Sequence, residues 1–414
     1  MRMLFLTPYL PSPPRTGGAR RLHALMRGLA RAHHVSVLSQ VRAGTDVAEA
    51  VAATLAYCHE VVTVPNTAFA AHGPRKRRLQ LRSLASTRSF EHRVYHYPAY
   101  QAALDELLAH NRYDLIVVEF SIMAYYRLPR GPLLVLDEHN IEYEIHARTA
   151  RTDTQPHRRL YSAVNFLKLR REERAAWRRF DGCVLTSECD QRTLLRDFPG
   201  ARTRVVPNGV DSALFQPSAT PPRNDVILFF GAIDYYPNTQ GLLYFLTEIW
   251  PTLHQRRPAL TLMIVGQSPP PSILAYQGNG VVVTGVVDDI RSYIAEAAVV
   301  IVPLQIGGGT RLKILEAMSM EKAIVSTSLG AEGIDVTDGR NILIADRPGD
   351  FAARVEEVLA DRARREALGR EARALITIRY EWDVAVQTLN DFFRELQGWR
   401  ADMPVVARRL ASSS

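Results

Sequence analysis

Arg311, Lys313 and Glu316 follow a run of three glycines in the stretch Ile306-Gly307-Gly308-Gly309-Thr310-Arg311-Leu312-Lys313-Ile314-Leu315-Glu316-Ala317-Met318. Three glycines let a backbone approach a ligand closely, and the first turn of a helix offers outward N–H groups at the positive end of its dipole. Arg311 and Lys313 add formal positive charge beside that turn, which suits a diphosphate. Glu316, further along, is placed to accept from a sugar hydroxyl. The local architecture required is strand, loop, helix. The apolar run Val299 to Leu304 predicts the strand, and Leu312, Leu315 and Met318 at spacings of three predict the helix. The same residues also fit an ordinary strand-to-helix turn with a solvated charged face. Neither the Walker spacing nor a strict G-x-G-x-x-G is present.

Two further clusters could carry chemistry. His139 lies in Asp137-Glu138-His139-Asn140-Ile141-Glu142-Tyr143, directly after a predicted strand from Leu133 to Asp137. Open parallel sheets place reactive groups at such strand ends, and histidine handles protons near neutral pH. A polar loop histidine capping the next helix is the plainer alternative. Gly17-Gly18 follow a first strand, Met3 to Thr7, and a proline-rich loop, and precede a helical pattern from Ala19 to Ala32. That β-α-β opening puts glycines where doubly wound sheets hold ligands, or else they only cap a loop.

The elements that must position these groups repeat through the chain. Strands are predicted at Val35 to Leu38, Val61 to Val64, Leu115 to Glu119 and Gly182 to Thr186, with helical patterns between them. After the turn Asn208-Gly209-Val210-Asp211 and a polar linker at Ser218 to Asn224, the alternation restarts. It runs through strands at Ile227 to Phe230, Leu260 to Val265, Val281 to Val283, Val299 to Val302, Ala323 to Ser326 and Ile342 to Ile344, and one helix is predicted from Thr239 to Gln255. This is an α/β chain with two parallel sheets. The expected domains are residues 1–211 and 212–380, a helix in 381–400 and a frayed tail in 401–414.

The length of 414 residues supports two cores, and 47% hydrophobic with 23% charged residues describes an ordinary globular protein. A net charge of +8 favours anionic partners. Cys58, Cys183 and Cys189 have no metal or redox spacing and fit a reducing cytoplasm. No apolar run approaches the roughly 18 residues of a spanning helix. Two basic segments, Arg75-Lys76-Arg77-Arg78 continuing to Arg82 and Arg88, and Arg158 through Arg179, carry interleaved leucines. They read equally as solvated helix faces or as surfaces for anionic lipid.

Taken together, Gly17-Gly18, His139, Asn208-Gly209-Val210-Asp211, Gly266, Gly285 before Asp288-Asp289, Pro303 to Met318 and Gly330-Ala331-Glu332-Gly333 resemble, in order and spacing, the retaining glycosyltransferases of family 4. The resemblance implies the GT-B fold: two Rossmann-like, doubly wound domains facing a central cleft, with the last helix, Trp382 to Leu396, crossing back to the first. It implies a nucleotide-sugar donor, with a UDP- or GDP-sugar as the expected class, held by the C-terminal half at Gly231, Gly285, Gly308, Gly309, Thr310, Arg311, Lys313, Leu315 and Glu316. Glu316 would meet the ribose, and contacts near Gly285 to Asp288 would choose the base. His139 would contact the donor sugar or its phosphate, and Gly17 and Gly18 the acceptor or a phosphate.

Two departures from the family pattern stand out. The first glutamate of the family's paired motif falls on Gly308, and the Arg and Lys that often follow the first strand of the second half are replaced by Gly231-Ala232-Ile233-Asp234-Tyr235-Tyr236. Arg311, Lys313 and the backbone at Gly308 to Thr310 would carry the diphosphate instead. With no Asp-x-Asp in the chain, no metal and no other cofactor are expected. The acceptor would be lipid-linked or a polysaccharide, and the setting cell-envelope glycan assembly in the cytoplasm, peripheral to the inner face of the membrane. Two other readings remain open: a catalytically silent nucleotide-sugar-binding or scaffold protein, motivated by Gly308, and a nucleic-acid binder. The second has only charge behind it, so no nucleic-acid partner is expected.

Overall fold

The computed structural model describes residues 1–14, 16–70, 73–152, 155–307 and 309–402. It divides into two compact units, Met1–Pro207 with the segment from Ala385, and Asn208–Val384. In the first, seven strands alternate with helices: β1 (Arg2–Thr7), β2 (His34–Arg42), β3 (Glu60–Asn66), β4 (Leu115–Glu119), β5 (Leu133–Glu138), β6 (Gly182–Leu185) and β7 (Thr203–Val205). They form one sheet in the order β3-β2-β1-β4-β5-β6-β7, and every pair is parallel. Helices cover both faces of such a sheet, so its central strands read as unbroken apolar runs; β4, Leu-Ile-Val-Val-Glu, is buried at all five positions.

The second unit repeats the plan with β8 (Arg223–Phe230), β9 (Thr261–Val265), β10 (Val281–Gly285), β11 (Ala297–Val302), β12 (Ala323–Ser326) and β13 (Leu343–Ile344). Its order is β10-β9-β8-β11-β12-β13, again all parallel. In both sheets the first strand of the unit lies inside, flanked by its second and fourth. These are doubly wound, Rossmann-like sheets with a topological switch point, between β1 and β4 in one and between β8 and β11 in the other.

Local chemistry shifted three expected helices. The first starts at Gly17, not Ala19, because Thr16 is the N-cap and its hydroxyl accepts from the Ala19 N–H at 3.3 Å. The helix expected over Thr239 to Gln255 is Tyr236–Tyr244 and Trp250–Arg256 joined by a π-helical turn, Phe245–Ile249. Pro251 has no N–H to give to the preceding turn, and the wider turn absorbs the missing bond. The last helix runs Trp382–Asp402, beyond the expected Leu396. The tail from residue 403 lies outside the described residues.

From Ala385 onward that last helix packs within the first unit. Its Phe392 and Leu396 press on Gly182 at the start of β6, so that a methyl there would stand 2.8 and 2.7 Å from their carbons. Gly182→Ala is therefore expected to lower stability by about 1–3 kcal/mol through overpacking. Urea unfolding checks this, and an unchanged midpoint would mean that the helix is not seated on β6 as described.

Candidate functional site

In the second unit the chain leaves β8 at Gly231, whose N–H donates to Val265 O at 3.0 Å, while the Gly266 N–H donates to Gly285 O at 3.0 Å. These bonds tie together the carboxyl ends of β8, β9 and β10. Next to β8, β11 ends at Val302 and the glycine loop begins. Gly307 (φ 136°) and Gly309 (φ 72°) occupy backbone conformations that side chains resist, which lets the loop bend tightly before the helix Leu312–Ser319. Gly308 lies outside the described residues.

Lys313 reaches back from that helix. Its Nζ donates to Asn238 Oδ1 at 3.0 Å, sits 3.9 Å from the centre of the Phe229 ring, and stands 3.2 Å from where a β-carbon on Gly231 would be. Asn238 is held in turn, its Nδ2 donating to Ala232 O at 2.7 Å. The Arg311 side chain folds over the loop: Nη1 donates to Gly309 O, and Nη2 lies 2.9 Å from the β-position of Gly307. Burial, with the Arg311 charge adding to it, pushes the Lys313 ammonium down to about 7, and Glu316 pulls the other way. An anion entering here would relieve both costs.

Gly231, Gly309, Arg311 and Lys313 are thus gathered at one switch point, with Thr310 half-buried beside them. Gly285 stands at the end of the edge strand, separated from Gly231 by β9. Glu316 is 5% exposed, and Leu315 is wholly buried in the core among Val302, Ile314 and Met318, so that only its backbone can face a ligand.

The first unit builds a second cluster at its own switch point. Tyr9 follows β1, Gly17 and Gly18 open the first helix, Glu119 ends β4, and His139 follows β5. A side chain at Gly18 would collide with the Tyr9 hydroxyl and would lie 3.6 Å from His139 Nδ1. His139 Nε2 is 2.8 Å from Glu119 Oε2, and the imidazole lies on the Phe120 ring at 3.8 Å between centres. Below them Arg21 Nε and Nη2 reach both oxygens of Asp137 at 3.0 to 3.2 Å, and Nη1 donates to Val206 O at 2.8 Å. Thr186 Oγ1 donates to His139 O at 3.1 Å. Glu173, on the helix Pro156–Trp177, accepts from the N–H groups of Glu142 and Tyr143 at 2.9 Å each, pinning the turn after His139.

Among the described residues one group of side chains has ligand types and spacing that a metal could use: Glu119, Asp137 and His139, whose ligating atoms lie within 4.8 Å of one another. Asp137 gives both oxygens to Arg21, whose guanidinium brings a positive charge into this cluster.

Two family models match the chain: Glycosyltransferase Family 4 over residues 15–214 and Glycosyl transferases group 1 over residues 224–361. The chain belongs to these glycosyltransferases. An uncharacterized 44.6 kDa protein in the cps region of Klebsiella pneumoniae is 24% identical to the transferase over 270 residues, 62% of this chain and 68% of that one. Sucrose-phosphate synthase from Thermosynechococcus elongatus superposes with a TM-score of 0.70 at 18% identity, covering 96% of this chain and 100% of that one. Anabaena Alr3699/HepE, solved in complex with UDP, gives 0.67 at 17%, covering 95% and 100%. These likenesses give the transferase the GT-B fold.

Four residues of the two clusters were not singled out from sequence. Asn238 and Arg21 had no local signal, since each acts through a partner 75 or 116 positions away. Tyr9, the only aromatic residue in the proline-rich loop, and Glu119, the one charge ending an apolar strand, did carry a weak one.

Lys313 also yields a pH test. Its folded pKa is depressed, so below about 7 the native transferase bears the full cost of a buried ammonium. That cost fades as pH rises toward the unfolded value near 10.4. Lys313→Met is expected to raise the melting temperature most at pH 6–7, with the gain shrinking by pH 10. A pH-independent gain in differential scanning fluorimetry would contradict the depressed ammonium.

Proposed function

We propose that the transferase moves a sugar from a UDP- or GDP-sugar, held by the second unit, to a lipid-linked or polysaccharide acceptor, held by the first. The observation that carries this reading is the arrival of Lys313 beside Gly231, with Arg311 over the glycine loop. Two cations and the N-terminal turn of a helix would then flank a bound diphosphate, although the residues after β8 carry no basic side chain of their own. Leaving-group charge would be met by these groups without a metal, an electrostatic contribution often large in enzymes. Glu316 would hold the ribose. Family likeness further suggests retention, with a diphosphate oxygen taking the acceptor proton during front-face attack. The UDP complex of the Anabaena protein supports the donor class, and the silent-scaffold reading has no comparable support.

Thermal shift against UDP, GDP and their sugars tests the donor. A ligand at 100 times its Kd stabilises by about 2.7 kcal/mol, so one nucleoside diphosphate should raise the melting temperature and one of its sugars should raise it further. Arg311→Ala with Lys313→Ala should erase the diphosphate effect and spare that of the bare nucleoside. Glu316→Gln should weaken both, by roughly tenfold or more for a lost charged hydrogen bond. No shift with any nucleotide would sink the reading.

A membrane-facing role for the first unit has a separate observation behind it. The helix Gly73–Leu84 exposes Arg77, Arg78, Leu81 and Leu84, and the helix Pro156–Trp177 exposes Leu160, Leu167 and Arg171. Lys168 Nζ donates to Ser83 O at 2.7 Å and Arg171 to Thr87 O, joining them into one basic and apolar surface. The side chains of Arg75 and Lys76 lie outside the described residues. Among the described residues no helix is long and apolar enough to cross a membrane. Such a surface suits anionic lipid on the cytoplasmic side. Glutamate at Arg77, Arg78 and Arg82 should abolish co-sedimentation with phosphatidylglycerol vesicles and leave nucleotide binding intact; unchanged sedimentation would retire the idea.

A further inference from the structure

We infer that Glu119 and His139 together hold one extra proton, so that His139 presents Nδ1–H as a hydrogen-bond donor at the first turn of the helix Gly17–Leu29, with Glu119 as its positioning residue. This deepens the reading of the first unit's glycine loop given above and rests on it only for the identity of the ligand.

The argument is a count of charge in a dry place. Glu119 and Asp137 are each 1% exposed, His139 is 7% exposed and Arg21 is fully buried. Two carboxylates and one guanidinium leave one uncompensated negative charge, which burial penalises heavily. Arg21 is committed to Asp137 through a bidentate fork, and Glu119 has the His139 ring at 2.8 Å. One proton on the Glu119–His139 pair removes the excess. It can sit on Glu119, with Nε2 accepting, or on His139 as an ion pair; in both cases Nδ1 keeps its hydrogen. Without that proton, Nε2–H would donate to Glu119 and Nδ1 would be a bare base.

The surroundings favour the proton on Glu119. Burial pushes its carboxyl well up, and Asp137 beside it adds to the rise while Arg21 opposes it. Burial holds the His139 imidazolium well down, helped by the Arg21 charge. Burial also pushes the Asp137 carboxyl up, against which Arg21 pulls it back toward the charged form. Tyr9, Tyr95 and Glu142 on the following helix also face this space; burial, and then the charges of Glu119, Tyr95 and Glu142, keep the Tyr9 hydroxyl protonated.

The Nδ1 atom has no partner among the described residues. It is aimed at Gly18, beside the Tyr9 hydroxyl and the unpaired N–H groups of a 13-residue helix. A set of donors of this kind recognises a phosphate oxygen, and not a hydroxyl that must lose its proton. As charge grew on that oxygen, the Glu119 O–H bond could break and an Nε2–H bond form, moving positive charge onto the imidazole with no proton lost or gained overall.

The first test needs no ligand. Full-length protein labelled with 15N-histidine is examined by long-range 1H–15N correlation, with His139 assigned through His139→Gln. The expected wild-type signature from pH 6 to 8 is a protonated Nδ1. Glu119→Gln, whose amide can donate to Nε2 but cannot ionise, should retain it, and Glu119→Ala should lose it. A bare Nδ1 with a protonated Nε2 in the wild type overturns the inference, whatever the nucleotide experiments show. Pyrophosphate and farnesyl phosphate are then titrated separately. A shift of the His139 signals with the first assigns a nucleotide diphosphate, and with the second a lipid-linked phosphate. No shift with either overturns the oxyanion role. Failure of the donor reading would appear instead as loss of nucleotide stabilisation with the tautomer unchanged.

Discussion

A parallel sheet wound in both directions from an interior strand has one place where neighbouring connections leave toward opposite faces, and backbone ends there are not covered by a crossing helix. In this chain that constraint acts twice, between β1 and β4 and between β8 and β11. The bodies of the central strands β1, β4 and β5 are almost wholly apolar, and polar groups collect where these strands end. Thr7, Glu119, Asp137 and Glu138 all stand at carboxyl ends in the first sheet, and Gly231 and the glycine loop follow carboxyl ends in the second. The location of both clusters follows from winding before any particular side chain is considered.

Both clusters also fix a basic side chain in a buried place, by different means. Arg21 is fully buried and its charge is balanced by Asp137, so it serves mainly as a fixed background that shapes its neighbours. Lys313 is held by a neutral amide and a ring face, which orient the ammonium without neutralising it. The first arrangement tunes proton positions around His139; the second stores unfavourable electrostatic energy that an anion would release. Preorganisation of this kind reduces the reorganisation needed when charge develops.

The turns around the first cluster are themselves anchored by buried carboxylates. Glu138 accepts from Trp177 Nε1 at 2.8 Å and from the Ser121 N–H at 3.1 Å, and burial pushes its carboxyl up to about 8. Glu172 accepts from the Ser89 N–H at 3.1 Å and the Tyr125 hydroxyl at 2.9 Å. One long helix, Pro156–Trp177, supplies Glu172, Glu173 and Trp177 to this network, and its other side carries the arginines and leucines exposed to solvent. The same element therefore fixes the loops of the site and presents the basic surface.

The amino-acid sequence by itself determined the alternation of strands and helices, the restart of that alternation after Asn208-Gly209, and the glycine loop with its cations, because hydrophobic period, turn residues and glycine runs are local properties. It also determined that no basic residue follows β8 and that position 308 is glycine. Tertiary structure alone decided that Lys313 lies beside Gly231 and is held by Asn238, that Leu315 belongs to the core, and that Glu119, Asp137, His139 and Arg21 form one buried charge cluster. Those facts depend on strand order and helix orientation, which bring together residues as distant in sequence as Arg21 and Asp137, 116 positions apart. Proton positions and pKa shifts follow from burial and from such distant neighbours, and neither quantity is written in a local stretch of chain.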